Sequence, residues 1–182
     1  MTGNYAYSQS GVYTIRLVVT DKDGSSGESV YQYIVVNDPE GGFVTGGGWI
    51  ESTVGAYSPN PYVSGKANFG FNARYKKDTS IPTGQTQFRF AEASLDFHST
   101  AYEWLVIAGA RAQYKGVGVI NSEGNYGFIV TVIDGDIDGV VDRIRIKIWD
   151  SASGDVIYDS QIGAPDQADP ELIIAGGSIT VH

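Results

Sequence analysis

The sequence predicts an all-β protein in which a β-hairpin is followed by an antiparallel β-sandwich. Stretches of strand length rich in Val, Ile, Tyr and Thr recur along the chain, and turn residues separate them about every ten residues. The 24 glycines and 12 tyrosines among 182 residues favour tight turns and half-buried strands. No segment keeps the apolar period of an amphipathic helix over several turns.

The hairpin is predicted over residues 1–37 from two strands and the turn between them. Residues 11–20 alternate so that four apolar side chains share one face, and residues 28–36 supply the second strand. The four side chains are those of Tyr13, Ile15, Leu17 and Val19. Residues 21–25 are typical of a turn, and residues 38–42 are predicted to be a short linker.

Residues 43–182 are predicted to form the sandwich, of the jelly-roll or immunoglobulin-like kind, with roughly nine or ten strands. Residues 43–51 contain three consecutive glycines, which favour a bulge or a close backbone approach. Residues 54–64 contain two prolines and are predicted to be a loop, whereas residues 66–75 alternate cleanly. Apolar or alternating runs bounded by turn residues predict further strands at 85–90, 102–108, 110–120, 126–133, 142–149, 156–158 and 173–181.

Composition and charge exclude several classes of function. The absence of cysteine excludes disulfides, thiol catalysis and cysteine-ligated zinc. No apolar run reaches the ~20 residues of a membrane span. The formal charge of −9 argues against binding a nucleic-acid backbone, and residues 134–182 contribute −7 of it. We therefore expect neither a nucleic-acid partner nor a membrane span.

The first part of the chain carries a family resemblance. Tyr5 and Tyr7 precede a Gly-x-Tyr-Thr-Ile-x-Leu-x-Val-Thr-Asp-x-x-Gly pattern at residues 11–24. This stretch resembles the C-terminal part of a polycystic-kidney-disease (PKD) repeat, an immunoglobulin-like domain of secreted and surface proteins. The resemblance implies a truncated PKD-like hairpin and a secreted or cell-surface location. Because a lone hairpin is marginally stable in water, we expect it to be disordered, to pack on the following domain or to pair with another chain.

The rest of the chain resembles a β-module that follows repeat or anchor domains in long secreted bacterial surface proteins. The resemblance is carried by residues 43–50, 65–71, 96–100 and 142–150. Modules of this kind are not associated with a reaction, so the resemblance implies a surface setting and no activity.

An acidic loop between two predicted strands is the sharpest local motif. Four carboxylates fall within nine residues with no basic residue among them, and a divalent cation would relieve their repulsion. The predicted calcium ligands are Asp134, Asp136, Asp138, the carbonyl of Val140, and Asp142. Their spacing, with Gly139 at the sixth position, resembles the loops of thrombospondin type 3 repeats and the first half of an EF-hand. We expect bound Ca²⁺ to have a structural role.

The loop departs from the EF-hand where Arg145 replaces the last glutamate. A calcium site would therefore need a further ligand from elsewhere in the fold. The candidates are Asp150, Asp159, Asp166 and Asp169. The alternative is a solvated acidic turn without metal. The neighbouring basic residues 143, 145 and 147 are expected to pair with acidic side chains.

His98 is the only histidine away from the C-terminus, and Asp96 lies two residues before it on the same side of a predicted strand. A catalytic interpretation makes His98 a general base or metal ligand, with Asp96 and Glu103 as weak further candidates. The chain has no G-x-S-x-G or H-E-x-x-H motif to support it. The alternative is a hydrogen-bonded histidine at a strand end.

Several aromatic residues could form a carbohydrate-binding surface: Trp49, Tyr57, Tyr62, Trp104, Tyr114 and Trp149. The selected candidates are Tyr57 and Tyr62 in the proline-containing loop, and Trp149 on the basic face of its strand. The alternative is that such residues fill the core.

Three functions remain open. The first is a calcium-stabilised, non-catalytic accessory module of a secreted or surface protein, for adhesion, spacing or carbohydrate binding. The second is a small metal- or histidine-dependent hydrolase, and the third is a structural subunit that assembles through strand pairing of its hairpin.

Overall fold

The computed structural model describes residues 5–36 and 42–182. The predicted linker at residues 38–42 lies outside the described residues except for Gly42. The strands are β1 Gly11–Thr20, β2 Ser26–Val36, β3 Phe43–Ser52, β4 Gly65–Arg74, β5 Thr83–Phe90, β6 Leu95–Ala108, β7 Arg111–Ile120, β8 Glu123–Ile133, β9 Arg143–Asp150, β10 Val156–Asp159 and β11 Gly176–Val181. A 3₁₀ turn covers Ala91–Ala93, and one helical turn, α1, covers Gly135–Asp138.

The strands form two antiparallel sheets, which confirms the predicted all-β fold. Strands β1 and β2 make a two-stranded sheet, and the other nine follow the order β10-β9-β8-β7-β6-β5-β4-β3-β11. Eight of these nine are neighbours in sequence as well as in space, so short turns suffice to connect them. The turn between β7 and β8, for example, has positive φ at Asn121 (53°) and Ser122 (67°), as a type I′ hairpin turn requires.

The nine-stranded sheet curls until its two ends meet. The loop after β3 bonds to β10, since Ser58 N–H donates to the carbonyl of Ile157 at 3.0 Å. The segment before β11 bonds to the start of β9, where Ile144 N–H donates to the carbonyl of Leu172 at 2.9 Å. The two halves of the sheet therefore face each other across one core, as in a sandwich.

Alternation along the strands places one apolar side of the curled sheet in the core. In β4, Phe69 and Phe71 are buried, as the alternation of residues 66–75 predicted. Phe128 in β8 lies edge-to-face with the rings of Phe97 and Tyr114, at centroid distances of 5.2 and 6.0 Å. Burial raises the pKa of Tyr114 well above its ordinary value, so this phenol is neutral in the core.

The β1–β2 hairpin packs on the outer side of the curled sheet. Trp104, Val106 and Ile129 form a buried cluster there, with Trp149 beside it, and Val12 and Val35 of the hairpin pack against this cluster. One of the alternatives for the hairpin, packing on the following module, is thus the one observed. Gln167 Nε2 also donates to Thr14 Oγ1 at 3.1 Å, which ties the hairpin to the loop before β11.

The opposite face of the hairpin is apolar and uncovered. Val12 and Thr14 contact the module, so the alternate side chains of β1 point away from it. These outward residues, with their neighbour on β2, are Ile15 (36% exposed), Leu17 (50%), Val19 (61%) and Tyr31 (54%). The single face predicted from the sequence therefore exists, but it faces away from the rest of the described protein.

Candidate ligand-binding face

The outer surface of β3 to β6 is a sheet face that the hairpin leaves uncovered. Because the inward side chains of these strands fill the core, alternation turns the polar residues outward. We call this surface the polar face. Its outward residues include Thr45, Gly47, Trp49, Glu51, Lys66, Asn68, Gly70, Asn72, Arg74, Gln85, Gln87, Arg89, Asp96 and His98.

The strand register orders these residues into rows. One row runs across four strands through Trp49, Asn68, Arg89 and Asp96, each opposite the next. Rows of directly paired residues bring side chains within contact distance of one another. The polar face is therefore a continuous surface of amide, charged and indole groups.

The adjoining row contains a trough. Gly47 lies opposite Gly70, which is followed by Gln87 and His98 on the next strands. A Cβ atom added at Gly70 would meet no atom within 4 Å, and one at Gly47 would meet only a backbone oxygen at 4.0 Å. Packing does not require glycine at either position. Because neither residue has a side chain, the backbone of β3 and β4 is exposed at the bottom of the trough.

Two depressions lie on the polar face, and each contains an arginine. One, of about 480 Å³, is lined by Asn68, Gln87, Arg89 and His98 among others. The second, of about 310 Å³, is lined by residues that include Asn72 and Arg74. Both volumes fall near the lower end of the range for small-ligand sites, roughly 300–1,000 Å³.

Aromatic rings border both depressions. Trp49 lies next to Asn68 in its row, and the Lys66 ammonium lies 4.7 Å from the indole centroid. At the other end, the ring of Phe43 stacks on that of His182 with a centroid distance of 4.0 Å. Phe43 also lines the depression that contains Arg74. Each depression thus has a guanidinium and at least one side-chain amide in its lining, with an aromatic ring in the lining or in the adjacent position of the row.

His98 and Asp96 are brought together, as their sequence spacing predicted. His98 Nε2 lies 3.1 Å from Asp96 Oδ1, and both side chains are almost half exposed. Glu103 belongs elsewhere, because its carboxylate pairs with Lys115. The nearby hydroxyl of Ser99 accepts a hydrogen bond from Thr86 N–H at 2.8 Å. His98 therefore lies on an open polar surface, and among the described residues its side chain contacts Asp96 and forms no hydrogen bond with a hydroxyl group.

The predicted aromatic residues are not assembled into one surface. Tyr62 is 87% exposed, whereas Tyr57 is partly buried and packs against the core. Trp149 lies in the contact with the hairpin, with Lys115 and Lys147 at 5.8 and 5.9 Å from its ring. Trp49, which the sequence indicated only as one of several aromatic residues that could stack on a sugar, lies on the polar face opposite Asn68.

Two aspartates of the acidic loop tie β11 to the rest of the sheet. Asp134 Oδ2 accepts the N–H of Val181 at 2.8 Å, and Asp142 Oδ2 accepts the N–H of Ile179 at 2.8 Å. The second oxygen of Asp134 accepts Asp136 N–H at 3.0 Å and so caps α1. The two carboxylates thus bond to the edge of β11 that does not pair with β3.

The remaining predicted calcium ligands are exposed. Asp136, Asp138 and Val140 lie on the outside of α1 and its C-terminal turn. Among residues 5–36 and 42–182, no three acidic or histidine side chains are grouped as a metal site. Calcium at this loop stays a prediction, and two of its proposed carboxylates already have backbone hydrogen bonds.

The four further candidate ligands have partners of their own. The partners are Arg145 for Asp159, Lys147 for Asp166, Arg111 for Asp169, and the backbone N–H groups of residues 152 and 153 for Asp150. Burial lowers the pKa of Arg111, and the Asp169 carboxylate partly offsets this. The expected pairing with acidic side chains is thus observed for residues 145 and 147, whereas Arg143 forms no ion pair with the other described residues.

Comparisons with family models, with curated proteins and with solved structures find no match to this chain. Among the residues that the structure describes, no helix has the length and apolar character needed to cross a membrane.

Proposed function

We propose that this protein is a non-catalytic accessory module that binds carbohydrate on its polar face, within a secreted or cell-surface protein. The observation that carries the proposal is the glycine-floored trough between Trp49 and the rows of amide side chains. The resemblances found in the sequence support the location, and they are independent of the geometry of the face.

The chemistry of the polar face suits sugars. Each Asn or Gln amide offers both a donor and an acceptor, as a sugar hydroxyl does. Four such amides project from β4 and β5, at Asn68, Asn72, Gln85 and Gln87. An indole supplies the apolar surface on which the C–H side of a pyranose ring can rest. Because these groups stand on paired strands, little conformational entropy is lost when a ligand binds.

The surroundings of His98 favour binding over hydrolysis. Enzymatic sites need a water-excluding pocket with converging polar groups. The His98–Asp96 pair instead lies at the edge of an open depression, and the nearby Ser99 hydroxyl is bonded to the backbone of β5. These contacts support a positioning and hydrogen-bonding role for the pair.

A substitution that fills the trough tests the proposal. We expect Gly70→Ile to weaken carbohydrate binding at least tenfold while leaving the melting temperature unchanged or higher, because a Cβ at Gly70 meets open space. Gly27→Ile is the matched control, since Gly27 also lies in a strand with open space around its Cα. Ligands are identified on a glycan array, and affinities are measured by isothermal titration calorimetry.

The outcomes of this experiment are distinct. Loss of binding in Gly70→Ile and not in Gly27→Ile supports the polar face as the site. Equal affinity in both variants, or no binding to any glycan by the unmodified protein, contradicts the proposal.

A second function is favoured by the uncovered hairpin face, namely self-association of two copies of this chain. The outward residues of β1 and β2 include Ile15, Leu17 and Val19 and no charged side chain, whereas the opposite face carries the Arg16–Glu28 ion pair. Two copies can therefore pack these faces together without burying a charge, and each face would be covered.

Adjacent residues on opposite faces of β1 test self-association. Leu17 and Val18 are both 50% exposed, but only Leu17 lies on the uncovered apolar face. We expect Leu17→Lys to abolish a dimer that Val18→Lys leaves intact, because only the first places a charge in the contact. Sedimentation equilibrium over a range of concentrations measures the state of each. A strictly monomeric unmodified protein would exclude this function.

A further inference from the structure

Positive charge is concentrated in the hairpin formed by β4 and β5. Residues 65–90 contain five of the 12 basic residues and one of the 21 acidic residues, a formal charge of +4. Since the whole chain carries −9, the remaining residues carry −13. The five basic residues are Lys66, Arg74, Lys76, Lys77 and Arg89, and all are exposed. The β4–β5 hairpin is therefore basic on an otherwise acidic protein, and it contributes Lys66, Arg74 and Arg89 to the polar face.

These five side chains differ from the other basic residues in their partners. All 12 basic residues are among those the structure describes, and none of the five forms an ion pair there. By contrast, six of the other seven form salt bridges: Arg16, Lys22, Arg111, Lys115, Arg145 and Lys147. Within residues 5–36 and 42–182, the cations of this hairpin are thus left without an ion pair, whereas most others are paired.

The unpaired charges include one arginine in each depression. Arg89 lies opposite Asn68, and Arg74 lies six residues further along β4. At ~3.3 Å per strand residue, the two positions are about 20 Å apart. Asp96 lies opposite Arg89, but its carboxylate contacts His98 and forms no ion pair with the guanidinium. As far as the described residues go, neither guanidinium has an anionic partner, and both are exposed to external anions.

Arginine suits such anions because its planar donors match a carboxylate or sulfate with two parallel hydrogen bonds. A small anion would bind at a single arginine. Two arginines about 20 Å apart instead match a polymer that carries negative groups at intervals along its length. The amides and the trough between them match hydroxyl groups. Double-stranded DNA fits less well, because its phosphodiester backbone has no free hydroxyl groups to bind the amides between the arginines.

We propose that the ligand of the polar face is an acidic polysaccharide, whose carboxylate or sulfate groups bind Arg74 and Arg89 while its hydroxyl groups bind the amides between them. This inference rests on the proposed carbohydrate-binding function and names the class of its ligand. Lys66, beside Trp49, and the two lysines at the tip of the β4–β5 hairpin attract the polymer by charge.

The test compares matched polymers. Polygalacturonate and its carboxyl-reduced neutral form differ only in the acidic group, and dextran sulfate and dextran do so for sulfate. We expect each acidic polymer to bind at least tenfold more tightly than its neutral counterpart at low salt, and this difference to shrink at high salt. A preference for polygalacturonate over dextran sulfate, or the reverse, identifies which anion the arginines bind.

The protein variants remove two charges in two places. We expect Arg74→Gln with Arg89→Gln to weaken binding of the acidic polymer about 100-fold. The control, Arg16→Gln with Lys22→Gln, makes the same change in net charge on β1 and its turn, and we expect a change of less than threefold. Equal effects of the two double variants would overturn the inference, because they would indicate a response to net charge alone.

Failure of the inference and failure of the proposed function give different results. If neutral and acidic polymers bind equally and Gly70→Ile still blocks them, the acidic ligand is excluded and carbohydrate binding stands. If double-stranded DNA binds as tightly as polygalacturonate and Gly70→Ile affects neither, the face is a general anion surface and both proposals fail.

Discussion

Asp159→Ala is expected to lower the free energy of unfolding by about 3–5 kcal/mol, because it leaves a buried cation without its carboxylate. Arg145 is 1% exposed, and its Nε and Nη2 donate to the two oxygens of Asp159 at 3.1 and 2.9 Å. The carbonyls of Ala164 and Pro165 accept further hydrogen bonds from the same guanidinium, at 2.8 and 2.6 Å. Asp166 lies 4.0 Å away and is already paired with Lys147 at 2.7 Å, so we expect it to compensate only in part.

Urea unfolding of matched variants measures this effect. The ion pair between Arg16 and Glu28 is as short, at 2.7 Å, but exposed on the hairpin, so we expect Glu28→Ala to leave stability unchanged. Replacing both buried partners, Arg145→Met with Asp159→Leu, is expected to cost less than Asp159→Ala alone, since no unpaired charge remains. An Asp159→Ala variant as stable as Glu28→Ala would show that the buried pair has no special role.

Asp134→Ala is expected to lower the free energy of unfolding by about 1–3 kcal/mol, because two backbone N–H groups lose their acceptor. Asp134 is 2% exposed, so water does not readily replace its oxygens. The loss falls on β11 and on the first turn of α1. Faster amide hydrogen exchange at Val181 and Ile179 would locate the effect in β11.

Asp136→Ala is the matched control, since Asp136 lies in the same loop with its side chain exposed. If the loop acts only through its hydrogen bonds to β11, Asp136→Ala leaves the free energy of unfolding unchanged, in Ca²⁺ and in a chelator alike. Calcium binding predicts instead that Ca²⁺ raises the melting temperature over that in a chelator, and that Asp136→Ala reduces this difference. An equal melting temperature in Ca²⁺ and in a chelator would contradict calcium binding by this loop.

Much of the fold could be predicted because the responsible signals are local. Alternation with period two identified β1, β4 and β9, and the orientation of Ile144, Ile146 and Ile148 toward the core follows from it. The pairing partners of β11 could not be predicted in the same way. Its bonds to Asp142 and Asp134 span 37 and 47 residues of sequence, and no local pattern reports them.

The acidic loop illustrates why a spacing motif has more than one structural meaning. An aspartate followed two residues later by a free N–H suits a helix cap as well as a calcium ligand. Asp134 is used as the cap. The polar face was missed for a different reason: no motif marks it, and it exists only because four strands align Trp49, Asn68, Arg89 and Asp96 in register.

The pairing of β3 with β11 has a mechanical consequence. Phe43 and His182 are joined by two backbone hydrogen bonds, at 2.9 and 3.3 Å, so these two residues lie side by side at one end of the β3–β11 ladder. Tension applied between these two residues would load the bonds of the β3–β11 ladder one pair at a time, as in peeling, and not all together in shear. A module built this way adds almost no length to a taut polypeptide until it opens. The β3–β11 ladder is thus expected to resist a pulling force between Phe43 and His182 only weakly.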